Sequence, residues 1–141
     1  MLLNAAARAL IGSGADATLV TLNPDGSPQV SLVWVALQRG EDGDELVVAS
    51  LADRKKVRNV RRDGRVALTI ISSEPGEVRR PYLAVTGTAR IVEGGAPELL
   101  RQLASVMVSD DGVVFPPEDA PPGYLTRIRI DAVGGIGPWA P

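Results

Sequence analysis

"ATLVTLNPDGSPQVSLVWVAL", residues 17–37, decides the fold class. Residues 17–22 are β-branched and apolar, 23–28 are turn formers throughout, and 29–37 return as a second strand. Asn, Pro, Asp, Gly and Ser each favour a reversal for a separate backbone reason, so the stretch reads as an antiparallel hairpin. Its second strand holds a further clue: Leu32 to Leu37 is apolar on both faces. A strand buried on both sides of a small antiparallel sheet needs cover from outside it, by a helix or a second subunit.

The same grammar continues downstream. "QRGEDGDE" (38–45) reads as a charged turn, then 46–50, 65–71, 81–93 and 124–133 read as strands. Within 81–93, Leu83, Val85, Ala89 and Ile91 share a face, and Gly87 interrupts it as a bulge or bend. The start, 1–14, fits an amphipathic helix with Leu3, Ala7, Leu10 and Ile11 on one side. Residues 96–108 form a clearer helix: Pro97 suits its first turn, and Leu99, Leu100, Leu103 and Met107 make the apolar stripe. The Pro-rich stretch 109–123 reads as a long loop, a lid in expectation, and 134–141 as a turning tail. Six strands joined largely by hairpin-length turns predict a mainly β fold with helices, a six-stranded antiparallel barrel in a single domain, 1–141.

Composition removes whole classes of chemistry. The chain has no cysteine and no histidine, hence no thiolate nucleophile, imidazole base, zinc–sulfur site or histidine-ligated metal. The catalytic residues stay unknown, and an enzyme of this composition leaves the hard chemistry to a bound cofactor. No apolar run approaches the ~20 residues of a membrane span. The start lacks a basic leader and carries Arg8 in its apolar stretch, so no membrane role and a cytoplasmic location are expected.

Charge is distributed unevenly. Of 15 Lys and Arg, seven lie between Arg54 and Arg65 against one acid, Asp63, although the chain as a whole carries −2. Asp53 reads as the cap of a helix running through Arg62 and stopping at Asp63-Gly64. On a helical wheel Val57 and Val60 face inward, Lys56 and Arg61 border that face, and Lys55 and Arg62 point to solvent. Cations at 54–56 oppose the helix dipole, and a phosphate bound there would reverse the conflict. A solvated basic face is the plain alternative. Nucleic acid is disfavoured by the acidic remainder and by 4% aromatic content, which offers few stacking platforms.

"RKKVRNVRRDGRVALTI" (54–70), preceded by the hairpin and by "LVVAS" (46–50), resembles the pyridoxamine 5'-phosphate oxidase-like superfamily. These are split β-barrels that bind flavin mononucleotide (FMN) or the deazaflavin coenzyme F420, and the order of elements matches over most of the chain. The ending "GGIGPWAP" (134–141) looks like the short actinobacterial F420-dependent branch. The resemblance implies a homodimer with cofactor sites at its interface, and hydride transfer from reduced deazaflavin to a small organic substrate. FMN, in a reductase or oxidase of the same fold, is the alternative cofactor; a non-catalytic binding protein is the third reading. It also implies that Arg54 and Lys56, with Lys55 and Asn59 nearby, grip the phosphate. Gln29, Ser31, Val33, Ala49 and Ser50 would lie along the ring and its polyol, and Pro138 and Trp139 of the second chain would close the site. Lys55, Arg58, Arg61, Arg62, Arg79 and Arg80 are candidates for the acidic tail of F420, and Tyr82 and Tyr124 for a proton donor. The histidine-containing C-terminal grip of true pyridoxamine phosphate oxidases is missing, which argues against vitamin B6 oxidation.

Overall fold

A computed structural model describes residues 1–76, 79–109, 112 and 114–139. Its order is α1 (Ala5–Ile11), β1 (Ala15–Leu22), β2 (Pro28–Gly40), β3 (Gly43–Ser50), α2 (Lys55–Arg62), β4 (Arg65–Ile71), β5 (Tyr82–Glu93), α3 (Ala96–Met107) and β6 (Tyr124–Ile136). The six strands close an antiparallel barrel in the order β1-β2-β3-β6-β5-β4. Alternation aims Leu19, Val35, Leu46, Leu68, Leu83 and Ile128 at a common interior, where each is almost fully buried. Gly87 sits at a register shift between β5 and β6. No Cβ fits there, since one would meet the Arg129 carbonyl at 2.3 Å.

Helices stopper the barrel. Leu3, Ala7 and Ile11 of the first segment enter the core, with Leu10 beside them. The α3 stripe of Leu99 and Leu103 lies outside the barrel on Ala36 and Val47, with Trp34 and Met107 at its margin. That helix supplies cover for the outer side of β2, so the apolar run 32–37 does not by itself demand a second subunit. Leu32, one step beyond its reach, remains 75% exposed.

Several boundaries differ from expectation. The supposed charged turn 38–45 is mostly strand, leaving only Glu41 and Asp42 between β2 and β3. Its acids are structural: Asp44 accepts the Leu3 amide at 2.8 Å and pairs with Arg8, while Glu45 binds Arg90 at 2.8 Å and Arg127 at 2.9 Å. Charge alone made the segment look solvated; arginines distant in sequence pair with the two buried acids and let them sit in a strand. β6 likewise runs through 134–136, where a tail was expected, because those residues continue the ladder with β5 as Gly134↔Ala84, Gly135↔Leu83 and Ile136↔Tyr82. Residues 110, 111 and 113 of the expected lid, and 140–141 of the tail, lie outside the described residues.

Candidate functional site

The barrel wall is split along half of one strand. β2 pairs with β1 from Pro28 to Val35, but with β3 only from Ala36 to Gly40. The last residues of β3, Val48 to Ser50, pair with β6 instead. Among the described residues, eight residues of β2, roughly 26 Å at strand rise, therefore have no strand partner on one edge, which leaves backbone N–H and C=O groups unpaired by the sheet. Gln29, Ser31 and Val33 lie on this lip, Ala49 and Ser50 on the other, and extending the register would set Val33 opposite Ser50.

From Ser50 the chain turns directly into α2, whose start is built unlike an ordinary helix N-terminus. The cap residue is Arg54, not Asp53; it has no side-chain cap bond, and the first turn has no acid. The Val57 and Arg58 amides return to the Arg54 carbonyl, whereas those of Lys55 and Lys56 make no bond among the described residues. Arg54, Lys55 and Lys56 also lack ion-pair partners among the described residues, so a cationic, donor-rich end stands open. Burial, and then Arg54, push the Lys56 ammonium below its usual range. Ser50 Oγ is buried without a hydrogen-bond partner among the described residues, and a native orphan of that kind marks a place for a missing acceptor or donor. The residues present therefore fit a phosphate-bearing ligand: uncapped amides, unpaired cations and an unsatisfied hydroxyl adjoin the split.

Further along α2 the basic residues are committed. Arg61 lies 4.9 Å from the Tyr124 ring centroid and within 4 Å of carboxylates of Asp53 and Glu93. Arg62 was expected to reach solvent but donates to the Leu22 carbonyl and to Asn59. Arg65 pairs with Asp63 and holds its carboxyl down to about 2. Arg80 donates to the Ser72 and Ser73 carbonyls. Asn59 is 2% exposed and fastens the helix to the hairpin through Thr21 and Asn23.

The structure thus brings Gln29, Ser31, Val33, Ala49, Ser50 and Arg54–Lys56 to one opening. Val33 is taken up by the barrel core, so only its backbone is available there, and Ala49 packs beneath α3. Pro138 and Trp139 are not brought to the split in their own chain. The Trp139 ring is in the core with Nε1 donating to the Tyr82 carbonyl at 2.8 Å, and the Pro138 carbonyl accepts from Asn4. Sequence reasoning missed Thr21 and Asn23, and it gave Arg62 to the cofactor's acidic tail, whereas Arg62 fastens α2 to β1; an inward-register threonine was the available signal for the first. A separate concavity of about 740 Å³, lined by Arg39, Glu45, Arg90 and Arg127, lies on the outer β3-β6-β5 face. Carboxylates already engage its arginines, and it is remote from the open helix end.

A split six-stranded barrel with an anion-ready helix at its opening defines the fold class of the flavin- and deazaflavin-binding oxidoreductases. The chain belongs to the pyridoxamine 5'-phosphate oxidase family, whose profile matches residues 3–136. No curated protein matches it significantly. Among solved structures it is similar to an F420 reductase, with 26% identity, TM-score 0.72, and coverage of 90% of this chain and 94% of that one. It is also similar to the conserved hypothetical protein Rv2991 of Mycobacterium tuberculosis, at 24% identity, TM-score 0.67 and 95% and 84% coverage. An FMN-binding protein from Syntrophomonas wolfei shares the fold at 14% identity, TM-score 0.64 and 93% and 84% coverage.

Proposed function

We infer that the protein is an F420-dependent oxidoreductase that passes a hydride from reduced deazaflavin to a small organic substrate. The observation that carries this reading is the open, cationic start of α2 beside the orphaned Ser50 hydroxyl. The likeness to an F420 reductase over nine-tenths of the chain orders F420 ahead of FMN. Arg54 and Lys56, with the Lys55 and Lys56 amides, hold the phosphate; the free edge of β2 runs along the remainder of the cofactor. The reduced deazaflavin supplies the hydride when bound. The chain's own residues bind, orient and exclude water, and none is assigned as the acid. Because Arg58, Arg61, Arg62 and Arg80 are each engaged within the chain, the exposed Lys55 is the better candidate for the acidic tail.

The active unit in this reading is a homodimer with the cofactor sites along its interface. Val30, Leu32 and Ile71 on the outer faces of β2 and β4 are 61%, 75% and 62% exposed. Leu32 and Ile71 line a concavity of about 610 Å³ with Leu10, Thr18 and Thr69, and Asp16 and Arg80 at its polar side. Contiguous apolar surface of this kind marks an interaction face, and a standard interface removes ~800 Å² from each partner.

The test is turnover. Reduced F420 is mixed with the protein and a panel of enones, quinones and tetrapyrroles, and its oxidation is followed. Multiple turnovers on any substrate support the oxidoreductase reading. Tight F420 binding with no oxidation across the panel transfers support to a non-catalytic binding protein.

A further inference from the structure

A chain of side-chain hydrogen bonds runs from α2 to the free lip of β2, and its direction is fixed chemically at both ends. Arg62 can only donate, and its Nη1 lies 3.3 Å from Asn59 Oδ1. The Asn59 amide must then donate onward, and it does so to Thr21 Oγ1 and Asn23 Oδ1, both at 3.1 Å. On the Asn23 branch, Nδ2 donates to Ser27 Oγ at 3.1 Å, and Ser27 donates to the Asp25 carboxylate at 2.5 Å. An ionised carboxylate can only accept, so this branch fixes the Asn23 amide and, through it, that of Asn59.

The second branch ends at the split. Thr21 Oγ1 already accepts from Asn59, so its one proton goes to Gln29 Oε1 at 2.9 Å. That turns Gln29 Nε2 toward Ser31 Oγ at 2.8 Å and the Val30 carbonyl at 3.3 Å, and a carbonyl tolerates no other orientation. Ser31 Oγ therefore accepts from Gln29, and its own proton is given to nothing among the described residues. Each link leaves its neighbour one role only.

We propose that Ser31 is a specificity-determining hydrogen-bond donor to the bound cofactor, meeting an acceptor such as a ring carbonyl oxygen. Thr21, Asn59 and Gln29 are positioning residues that impose its polarity from Arg62. This rests on the cofactor reading above and adds to it what the lip offers: a hydroxyl proton with no taker among the described residues, which an acceptor opposite Ser31 would receive.

The experiment titrates FMN and F420 into wild type, Ser31→Ala, Ser31→Thr, Gln29→Glu and the Ser31→Ala/Gln29→Glu double variant, at raised ionic strength. A carboxylate at position 29 accepts from both Thr21 and Ser31, which draws the serine proton away from the ligand. Salt suppresses the added long-range repulsion of the anionic cofactor. Ser31→Ala should weaken binding about ten-fold, the worth of one hydrogen bond to a buried acceptor. Gln29→Glu should match it and give the same shift in the bound cofactor's visible spectrum. The double variant should be no weaker than either single change, and Ser31→Thr should retain wild-type affinity. Unchanged affinity in Ser31→Ala, or losses that simply add in the double variant, would overturn the proposal while leaving the cofactor reading intact. If Gln29→Glu fails to fold, the Ser31→Ala and Ser31→Thr pair decides alone. Wild type that binds neither FMN nor F420 overturns the cofactor reading, and the role of Ser31 with it.

Discussion

Replacing Lys56 by Glu should abolish cofactor binding, whereas the same change at the adjacent Lys55 should only weaken it. Lys56 is half-buried where α2 begins, while Lys55 is exposed. A charge-assisted hydrogen bond to phosphate contributes about 1.5–3 kcal/mol, so its loss alone weakens binding about ten- to a hundred-fold. Sign reversal adds repulsion at contact distance, where screening is least effective. At Lys55 the repulsion acts through water and should fade with salt. Burial already lowers the Lys56 pKa in the free protein; a bound anion raises it again, so affinity should fall as pH rises through that lowered value. The same burial makes the unfolded chain the better proton binder between the lowered value and 10.5. Folding is thus penalised at neutral pH, and Lys56→Met should raise the urea midpoint of the cofactor-free protein while losing affinity. Fluorescence titration over pH and salt, paired with urea unfolding, reads all of this. Equal losses from Lys55→Glu and Lys56→Glu at moderate salt would reduce the segment to a diffuse basic face.

Glu45→Ala should cost about 2–3 kcal/mol in urea unfolding: it strands Arg127 beneath the surface, while Arg90 is free to rehydrate. The Arg90 bond, more than any other contact, holds Glu45 below the ordinary glutamate value of 4.5; its stabilisation is complete above that value and disappears as pH falls through the lower folded one, so Glu45→Gln should flatten the acid limb. Leu32→Glu should shift the sedimentation coefficient from dimer to monomer, and an unchanged monomer in wild type would defeat the interface argument. Trp139→Ala should destabilise the barrel by about 3–5 kcal/mol, since the ring is core and its Nε1 is bonded within the same chain.

The strands were legible because alternation and turn residues are local signals. Residues 65–71 and the Leu83–Val85–Ala89 face could be read directly, and the glycine interruption marked the bulge. What failed was the assignment of charge to solvent. Asp44 and Glu45 look like turn residues until Arg8, Arg90 and Arg127, distant in sequence, arrive to pair with them. Asn59 and Arg62 met the same obstacle: the wheel places them on α2, but only the tertiary approach of β1 supplies Thr21, Asn23 and the Leu22 carbonyl. The cap failed for another reason. Asp53 is a good cap by type, yet the helix begins two residues later with Arg54 in the cap position, which leaves its end open. Favourable local chemistry was passed over at the point where the site needs free donors.

One measurement tests the central claim most directly: parallel equilibrium titration of the wild-type protein with F420 and with FMN, each repeated against inorganic phosphate as competitor. Submicromolar F420 binding, weaker FMN binding, and displacement of both by phosphate are the predicted results. Submicromolar FMN binding with no measurable F420 binding would contradict the F420 assignment, and binding indifferent to phosphate would contradict the placement of the anion at the start of α2.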